Sequence, residues 1–360
     1  MLILSINSVT NQMRLAKNIY SADGSTLLAA GTRLSDNFIE KLKQFGVSTV
    51  YISNQYIGKI EVDELIKIQT KNEATRITKE VMNNIRQDKT WDGEDIHQVI
   101  DRIIDELFEN HDILYNLVEI RAMNDYHYAH NVTVCILSLM TGITLCYNYK
   151  QLKQLGTGAL LHDVGKSKIS LKILNKKGTL TQKEYEEIKK HPSLGYDILK
   201  QSKNFSEEEA LIAWQHHERF DGSGYPLGLR GTEICEPARI VALADVYDAM
   251  STDRIYRKRF LPQEVVEYIR DQGPNQFDPQ LSKVFLENIA PFPIGSMVLL
   301  NDGQRGVVTH VSKDFPARPL VKMIGDRNGN LIKDPAEKDL KKDLTLFVVK
   351  TLQDGEMGVH

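Results

Sequence analysis

The 360-residue sequence contains only three cysteines, Cys135, Cys146 and Cys235. They are widely spaced and form no Cys-x-x-Cys pair, which argues against a disulfide framework and against cysteine metal ligands. All three lie in apolar or helical contexts. We therefore expect reduced core cysteines of a cytoplasmic protein.

A long uninterrupted apolar run is also missing. The longest run, residues 132–147, is broken by Thr133, Ser138 and Gly142 and is shorter than the ~20 residues that a spanning helix needs. The first six residues have neither the charged region nor the long apolar core of a secretory signal. We expect no membrane span and predict that residues 132–147 form a buried core helix.

The sequence has no excess of positive charge. Its 45 lysines and arginines are outnumbered by 48 aspartates and glutamates, which gives a net charge of −3. Polymeric nucleic acid needs a basic surface that releases counterions, so we do not expect it as a partner. A small anionic ligand needs only a local basic patch and stays compatible with this charge.

What the sequence does have is a concentration of histidine in its middle. Six of the ten histidines lie between residues 127 and 217. An adjacent pair, His162-Asp163, is followed by a second, His216-His217, which leads into a glycine-rich turn at residues 222–226. Burying so many titratable groups is costly unless a cation compensates them, and imidazole and carboxylate bind divalent transition metals. The pattern therefore indicates a metallohydrolase.

Seven side chains form the predicted ligand set. They are His130, His162, Asp163, His191, His216, His217 and Asp245. Seven ligands exceed what one ion needs but suit two ions that share Asp163, an arrangement that yields a hydroxide for in-line attack on phosphorus.

The helices expected to carry these ligands are visible in the sequence. The apolar stretch that ends at Leu161 predicts a helix that stops before Gly165, which places His162 near a helix end. Residues 210–214 are apolar and follow three glutamates, as expected for a helix that begins near Glu207 and runs into His216.

The histidines and aspartates belong to an ordered set of motifs. These are His130-Asn131-Val132-Thr133-Val134, His162-Asp163-Val164-Gly165-Lys166, Lys190-His191-Pro192 with Gly195, residues 216–226, residues 238–250, and Asp253-Arg254-Ile255-Tyr256-Arg257. With these motifs in this order over roughly residues 115–290, the sequence resembles the HD-GYP phosphodiesterases of bacterial cyclic-dinucleotide signalling.

The resemblance implies a helical core in which the seven ligands hold two divalent ions, iron or manganese. It implies Asp163 and Lys166 as catalytic residues, with Lys166 neutralising charge on the scissile phosphate. Members that bind a third metal carry a glutamate four residues before the first ligand histidine. Tyr126 occupies that position here, so we expect two ions.

The resemblance also implies four substrate contacts, which are Tyr225, Asp248, Arg254 and Arg257. A guanidinium can reach phosphate or the acceptor edge of guanine bidentately. Ile255 stands where family members usually have proline, and the position of Arg257 is sometimes lysine, so the sequence departs from the family pattern at the base contacts.

The implied activity is hydrolysis of cyclic di-GMP to linear pGpG, with further cleavage to GMP left open. One alternative is a phosphodiesterase for the hybrid cyclic GMP-AMP dinucleotide, which would use the same ligands. A second is a receptor that binds cyclic di-GMP without turnover, although the complete ligand set argues against it. A third, another HD-superfamily nucleotide hydrolase, would lack the segment at residues 222–226.

We predict a mainly α protein in four parts. Residues 1–55 form a small α+β module, with a turn at Asp23-Gly24, a helix starting at Ser35-Asp36 and ending at Gly46, and a strand at 47–52. Residues 56–114 form an amphipathic helical connector. Its apolar face either packs on the catalytic domain or joins two subunits as a homodimer.

The other two parts are the helical HD-type domain at 115–290 and a small β-barrel-like module at 291–360. The latter is predicted from strand-like segments at 297–300, 306–311, 320–324 and 344–349, separated by turn residues. Its two histidines, His310 and His360, are expected at the surface.

Overall fold

The computed structural model describes residues 1–20, 25–54, 57–58, 60, 64–115, 126–176, 178–252, 260–328 and 330–352. The predicted turn at Asp23-Gly24 and the arginines Arg254 and Arg257 lie outside these residues. No helix in the described ranges is both long enough and apolar enough to cross a bilayer.

The N-terminal region is α+β, as predicted. Its strands and helix are β1 Leu2–Ser5, β2 Ile19–Tyr20, β3 Thr26–Leu28, α1 Asp36–Gln44 and β4 Thr49–Ile52. The Ser35 side chain caps α1 by accepting a hydrogen bond from the Phe38 backbone N–H, and the chain leaves the helix at Gly46 with φ of 76°. Strand β4 pairs antiparallel with β1.

Two amphipathic helices follow, α2 Ile68–Arg86 and α3 Glu94–Glu109. Of the two alternatives for their apolar face, the structure shows packing within the chain: Ile96, Val99 and Ile103 are fully buried in the same cluster as the central helices. The Glu106 carboxylate joins the two helices, because it accepts hydrogen bonds from Lys67 N and Thr70 Oγ1, each 2.7 Å long.

The central region is helical throughout its described part. Its helices are α4 Tyr126–Thr144, α5 Tyr149–Leu160, α6 Leu171–Leu174, α7 Gln182–Ile188, α8 His191–Gln201, α9 Glu207–Gln215, α10 Glu236–Ser251, α11 Pro262–Gln276 and α12 Pro279–Leu286, with 3-10 turns at Val164–Lys168 and Gly231–Glu233. The predicted buried helix corresponds to α4, which ends at Thr144 rather than at residue 147. Capping boxes, Asn148 with Gln151 and Ser206 with Glu209, start α5 and α9.

The C-terminal region is a five-stranded antiparallel sheet in the order β8-β7-β6-β5-β9. Its strands are β5 Met297–Leu300, β6 Arg305–Ser312, β7 Phe315–Gly325, β8 Glu337–Asp339 and β9 Val348–Thr351. The prediction of a barrel-like closure is wrong for the described residues, because the edge strands β8 and β9 do not pair with each other.

The last predicted strand, at 344–349, is also shifted. Asp343 Oδ1 accepts hydrogen bonds from the backbone N–H and the hydroxyl of Thr345, at 3.1 and 2.6 Å. This local turn competes with strand pairing, so the strand begins only at Val348.

The two ends of the chain share one apolar core. Leu4 and Val50 lie in the same buried cluster as Val307 and Ile324 of the C-terminal sheet. Backbone contacts support this packing: Ile3 N donates to Gly295 O at 3.1 Å, and Lys322 Nζ donates to Ile57 O at 3.0 Å.

All three cysteines are free thiols. Cys135 is buried, as expected, and Cys235 is half-buried. The expectation of a core position is wrong for Cys146, which is exposed. It lies in the turn after α4, where the backbone has left the helix with φ of 60°.

Candidate metal centre

The seven predicted ligand side chains meet in the centre of the helical region. One group consists of Asp163, His191, His216 and His217, and the other of His130, His162 and Asp245. Within each group, the potential ligand atoms all lie within 4.8 Å of one another. The groups adjoin, since the ring centres of His162 and His216 are 4.9 Å apart.

The ends of several helices bring these side chains together. His130 lies on α4 and Asp245 on α10, whereas His191 is the first residue of α8. His162-Asp163 occupies the turn between α5 and the 3-10 helix, and His216-His217 follows the last residue of α9. The predicted positions of His162 and His216 at helix ends are confirmed.

A close backbone approach places His191 beside Asp163. A Cβ atom added to Gly165 would lie 2.0 Å from His191 O and 2.6 Å from Gly195 N, where no side chain fits. Glycine at this position therefore lets the 3-10 helix touch the start of α8.

Asp163 lies between the two groups. Its Oδ1 is 3.2 Å from His191 Nε2 and 3.8 Å from His216 Nε2, while its Oδ2 is 3.6 Å from His162 Nε2. The Asp163 side chain is only 5% exposed. Each of its oxygens thus faces imidazoles of a different group, which is the geometry of a bridging ligand.

Three of the histidines are oriented by the same local contact. The Nδ1 atom of each is hydrogen-bonded to the carbonyl three residues earlier: His162 to Ala159 at 2.8 Å, His191 to Ile188 at 2.7 Å and His216 to Ala213 at 2.9 Å. Since a carbonyl only accepts, Nδ1 carries a proton, which leaves Nε2 as the ring atom that can bind a metal.

The Nε2 atoms of these histidines face one another. His191 Nε2 and His216 Nε2 are 3.3 Å apart, and the buried His162 Nε2 has no hydrogen bond within the described residues. Burial and the neighbouring imidazoles hold the pKa of His216 well below its usual range, so its ring is neutral. Opposed lone pairs without donors between them fit a cation bound by these nitrogens.

At the His130 end of the centre, two carboxylates also favour a positive charge. His130 lies between two carboxylates, with Nε2 3.1 Å from Asp245 and Nδ1 2.6 Å from Asp248. Burial alone would lower the pKa of His130, but these hydrogen bonds outweigh it and raise that pKa to about 10. The predicted substrate residue Asp248 is 4% exposed and thus lies behind His130.

Lys166, the predicted catalytic lysine, is on the 3-10 helix. Its Nζ is 2.5 Å from Asp163 Oδ2, and its side chain is 23% exposed. Burial would raise the pKa of Asp163, but Lys166 and the adjacent His162 hold it well below its usual range. The ammonium is therefore fixed at the edge of the centre beside the shared carboxylate.

The loop after His217 folds back over the centre. Tyr225 N donates to His217 O at 3.2 Å, and the two rings stack with centres 4.8 Å apart and planes 25° apart. Burial raises the pKa of the Tyr225 hydroxyl, and the charges of Asp163 and Asp245 add to the effect. The predicted substrate residue Tyr225 therefore covers the imidazole of one predicted metal ligand.

Glu218, to which we assigned no role from the sequence, holds this loop in place. Its buried carboxylate accepts backbone hydrogen bonds from Leu227 at 2.6 Å, Gly228 at 3.2 Å and Leu229 at 3.1 Å. A Cβ atom at Gly224 would lie 2.5 Å from the Glu218 Cα. Both contacts lie within the one loop that follows the histidine pair, but they involve backbone atoms and not a motif of side chains, so only the proximity of Glu218 to the histidine pair hinted at its importance.

Asn131 is a second residue without an assigned role. Its Nδ2 donates to Leu160 O at 3.1 Å, which ties α4 to the end of α5. Because His130 and His162 flank this bond, it fixes the distance between two predicted ligands.

Comparison with known proteins agrees with this geometry. Residues 113–281 match the family described as HD domain, and residues 297–359 match the KOW domain associated with HD domain.

Named relatives come from several bacteria. A cyclic di-GMP phosphodiesterase of Pseudomonas aeruginosa is 32% identical over 68% of this chain and 58% of its own length. The cyclic di-GMP phosphodiesterase response regulator RpfG of Xanthomonas campestris is 44% identical over 37% of this chain and 35% of its own. A 3′3′-cGAMP-specific phosphodiesterase of Vibrio cholerae is 40% identical over 36% of this chain and 25% of its own. The chain thus spans about half the length of these relatives, or less.

Proposed function

We propose that this chain belongs to the HD-GYP group of the HD domain family and is a metal-dependent phosphodiesterase that hydrolyses cyclic di-GMP to linear pGpG. The observation that carries the proposal is the placement of Asp163, whose two carboxylate oxygens face imidazoles of two different groups. The names of the relatives support the choice of substrate.

The proposed cofactors are two divalent ions, iron or manganese. One is assigned to Asp163, His191, His216 and His217, and the other to His130, His162 and Asp245 with Asp163 shared. When bound, the ions would activate water and neutralise charge on the phosphate. An imidazole-rich ligand set suits both metals.

The residues of the chain contribute orientation and charge. The carbonyls behind His162, His191 and His216 hold each Nε2 toward the centre. Lys166 Nζ lies at the exposed edge, where its positive charge would stabilise the charge that develops on a phosphate oxygen. Catalytic roles for Asp163 and Lys166 are thus part of the proposal.

Of the four predicted substrate contacts, Tyr225, Asp248, Arg254 and Arg257, we propose that Tyr225, Arg254 and Arg257 contact the nucleotide. The position of Tyr225 over His217 supports a contact with bound nucleotide. The buried hydrogen bond of Asp248 to His130 supports a role in orienting that histidine instead of a direct substrate contact.

A phosphodiesterase for the hybrid cyclic GMP-AMP dinucleotide is the second candidate. It is favoured by the 40% identity to the 3′3′-cGAMP-specific enzyme, and the same ligand set would serve it. Product analysis with both dinucleotides separates the two. A receptor without turnover is disfavoured by the complete ligand set.

The domain division at 1–55, 56–114, 115–290 and 291–360 is also a proposal. The apolar core shared by the first and last parts supports their folding as one unit. We further infer a cytoplasmic location from the three free thiols. A homodimer would have to use a surface other than the buried face of α3.

Replacing the shared ligand tests the proposal. Asp163→Ala should abolish hydrolysis of cyclic di-GMP and reduce the metal content from two ions per chain to one or none, because both ions lose a ligand. Asp197→Ala, which removes an exposed carboxylate from α8, is the control and should retain both properties. Full activity of the Asp163→Ala protein would refute the shared-ligand assignment.

A further inference from the structure

The edge of the metal centre beside Tyr225 carries two side chains that have no role in the proposed chemistry, Tyr185 and Lys189. Lys189 Nζ lies 5.7 Å from the centre of the Tyr225 ring and 5.4 Å from the centre of the Tyr185 ring. One ammonium therefore lies over two aromatic rings. We call Tyr185, Lys189 and Tyr225 the rim.

The rim is fixed relative to the metal ligands. Ile188 O, at the end of α7, accepts the hydrogen bond from His191 Nδ1, and Lys189 is the next residue. On the other side, the Tyr225 ring stacks on His217. Both sides of the rim are therefore attached directly to metal-binding histidines. A ligand held at the centre could contact the rim without any movement of these side chains.

The rim is also accessible. Tyr185 is 45% exposed, and the Lys189 side chain is 27% exposed, with its ammonium 2.9 Å from Glu186 Oε1. An open phenol ring next to a phosphate-binding centre offers a face on which a nucleobase stacks. The ammonium adds a hydrogen-bond donor beside that face.

We propose that Tyr185 and Lys189 form, together with Tyr225, a guanine subsite. The base stacks on an aromatic ring of the rim, and the ammonium donates to its O6 and N7 acceptors. Adenine presents an amino donor in place of O6, so Lys189 disfavours it. This inference rests on the proposed function and deepens it, because it names residues that select the base.

The test compares Lys189→Met with Lys190→Met in the full-length, metal-loaded protein. Lys190 is the neighbouring lysine and a matched control: its ammonium forms the same type of ion pair, with Glu187 at 2.6 Å, and its side chain is 61% exposed. Tyr185→Leu removes the ring and Tyr185→Phe keeps it. For each protein, kcat and KM are measured with cyclic di-GMP, cyclic di-AMP and bis(p-nitrophenyl) phosphate, which has no base.

Lys189→Met should lower the ratio of kcat/KM for cyclic di-GMP to that for cyclic di-AMP about tenfold, mainly through KM. Tyr185→Leu should raise KM for both dinucleotides, and Tyr185→Phe should restore it. Cleavage of bis(p-nitrophenyl) phosphate and metal content should stay unchanged in all variants, and Lys190→Met should match the unaltered protein.

An unchanged ratio in Lys189→Met overturns the inference while the proposed function stands. Equal loss on all three substrates also overturns it, because the residues would then only support the fold. If the unaltered protein cleaves no cyclic dinucleotide, the proposed function fails. The subsite is then judged by equilibrium binding of cyclic di-GMP, and equal affinity of the unaltered and Lys189→Met proteins rejects it.

Discussion

Single residues of the centre are prepared for metal binding by their hydrogen bonds. His162, His191 and His216 each use Nδ1 to bind a carbonyl of their own segment, which fixes the tautomer and directs Nε2 inward. His191 and His216 direct their Nε2 lone pairs at each other across 3.3 Å, and a cation between them would offset the cost of this arrangement. The arrangement thus explains the metal site without reference to any relative.

His130 uses a carboxylate for the same purpose, which leads to a prediction for Asp248. Asp248→Ala should weaken metal binding about 10- to 100-fold, because His130 Nδ1 loses its partner at 2.6 Å. Asp248→Asn should weaken it less, since an amide oxygen still accepts this hydrogen bond. Manganese titration of the metal-free proteins measures the effect. Unchanged metal affinity combined with weaker cyclic di-GMP binding would instead make Asp248 a substrate contact.

Secondary-structure elements meet at the centre because small residues allow close approach. The 3-10 helix touches α8 at Gly165, where an added Cβ atom would overlap the His191 carbonyl. The loop behind Tyr225 touches the segment after α9 at Gly224, and Glu218 binds three of its backbone N–H groups. These contacts fix the relative positions of the helix ends that carry the predicted ligands.

The two glycines at the contact of the 3-10 helix with α8 are predicted to respond differently to substitution. Gly165→Ala should lower the free energy of unfolding by about 2 kcal/mol or more and reduce metal content, because the new methyl group must push His191 away from Asp163. Gly195→Ala is the control, since its Cβ atom meets its nearest neighbours at an ordinary 3.4 Å. Denaturant unfolding and metal analysis check both. If both substitutions had equally small effects on stability and metal content, the close contact at Gly165 would not be what positions His191.

The sequence predicted several elements that local interactions determine, although it missed the turn at Asp343 that shortens the last strand. The Ser35 cap, the acidic start of α9 and the helix ends at His162 and His216 depend on neighbouring residues, and they were found. Strand β8 and the open edge of the sheet depend on pairing with distant segments, and they were missed. The ligand set was predicted because its residue types are unusual in a core, whereas Glu218 acts through backbone contacts that leave no pattern in the sequence.

At the scale of the whole molecule, the helical region is inserted between two chain ends that pack together. Leu4 of β1 and Val307 of β6 belong to one buried cluster. The sheet is also connected to the helical region, because Thr351 N and Oγ1 donate to Gln263 Oε1 on α11 at 3.2 and 2.6 Å. The terminal parts are therefore not independent of each other or of the centre.

Leu4→Ala tests this shared core. Removing a side chain that is 5% exposed should destabilise the unit by about 2–5 kcal/mol and speed amide exchange both in residues 1–54 and in strands β5 to β7. Leu344→Ala, at a position 69% exposed, should change neither. Faster exchange confined to the N-terminal residues would show that the two ends fold separately.

We propose that a dinuclear metal centre in this chain hydrolyses a cyclic dinucleotide. Product analysis of the protein reconstituted anaerobically with iron or with manganese, and incubated with cyclic di-GMP, tests it most directly. We expect linear pGpG as the product, formed by protein that holds two ions per chain. Recovery of intact cyclic di-GMP from protein with both ions bound would contradict it.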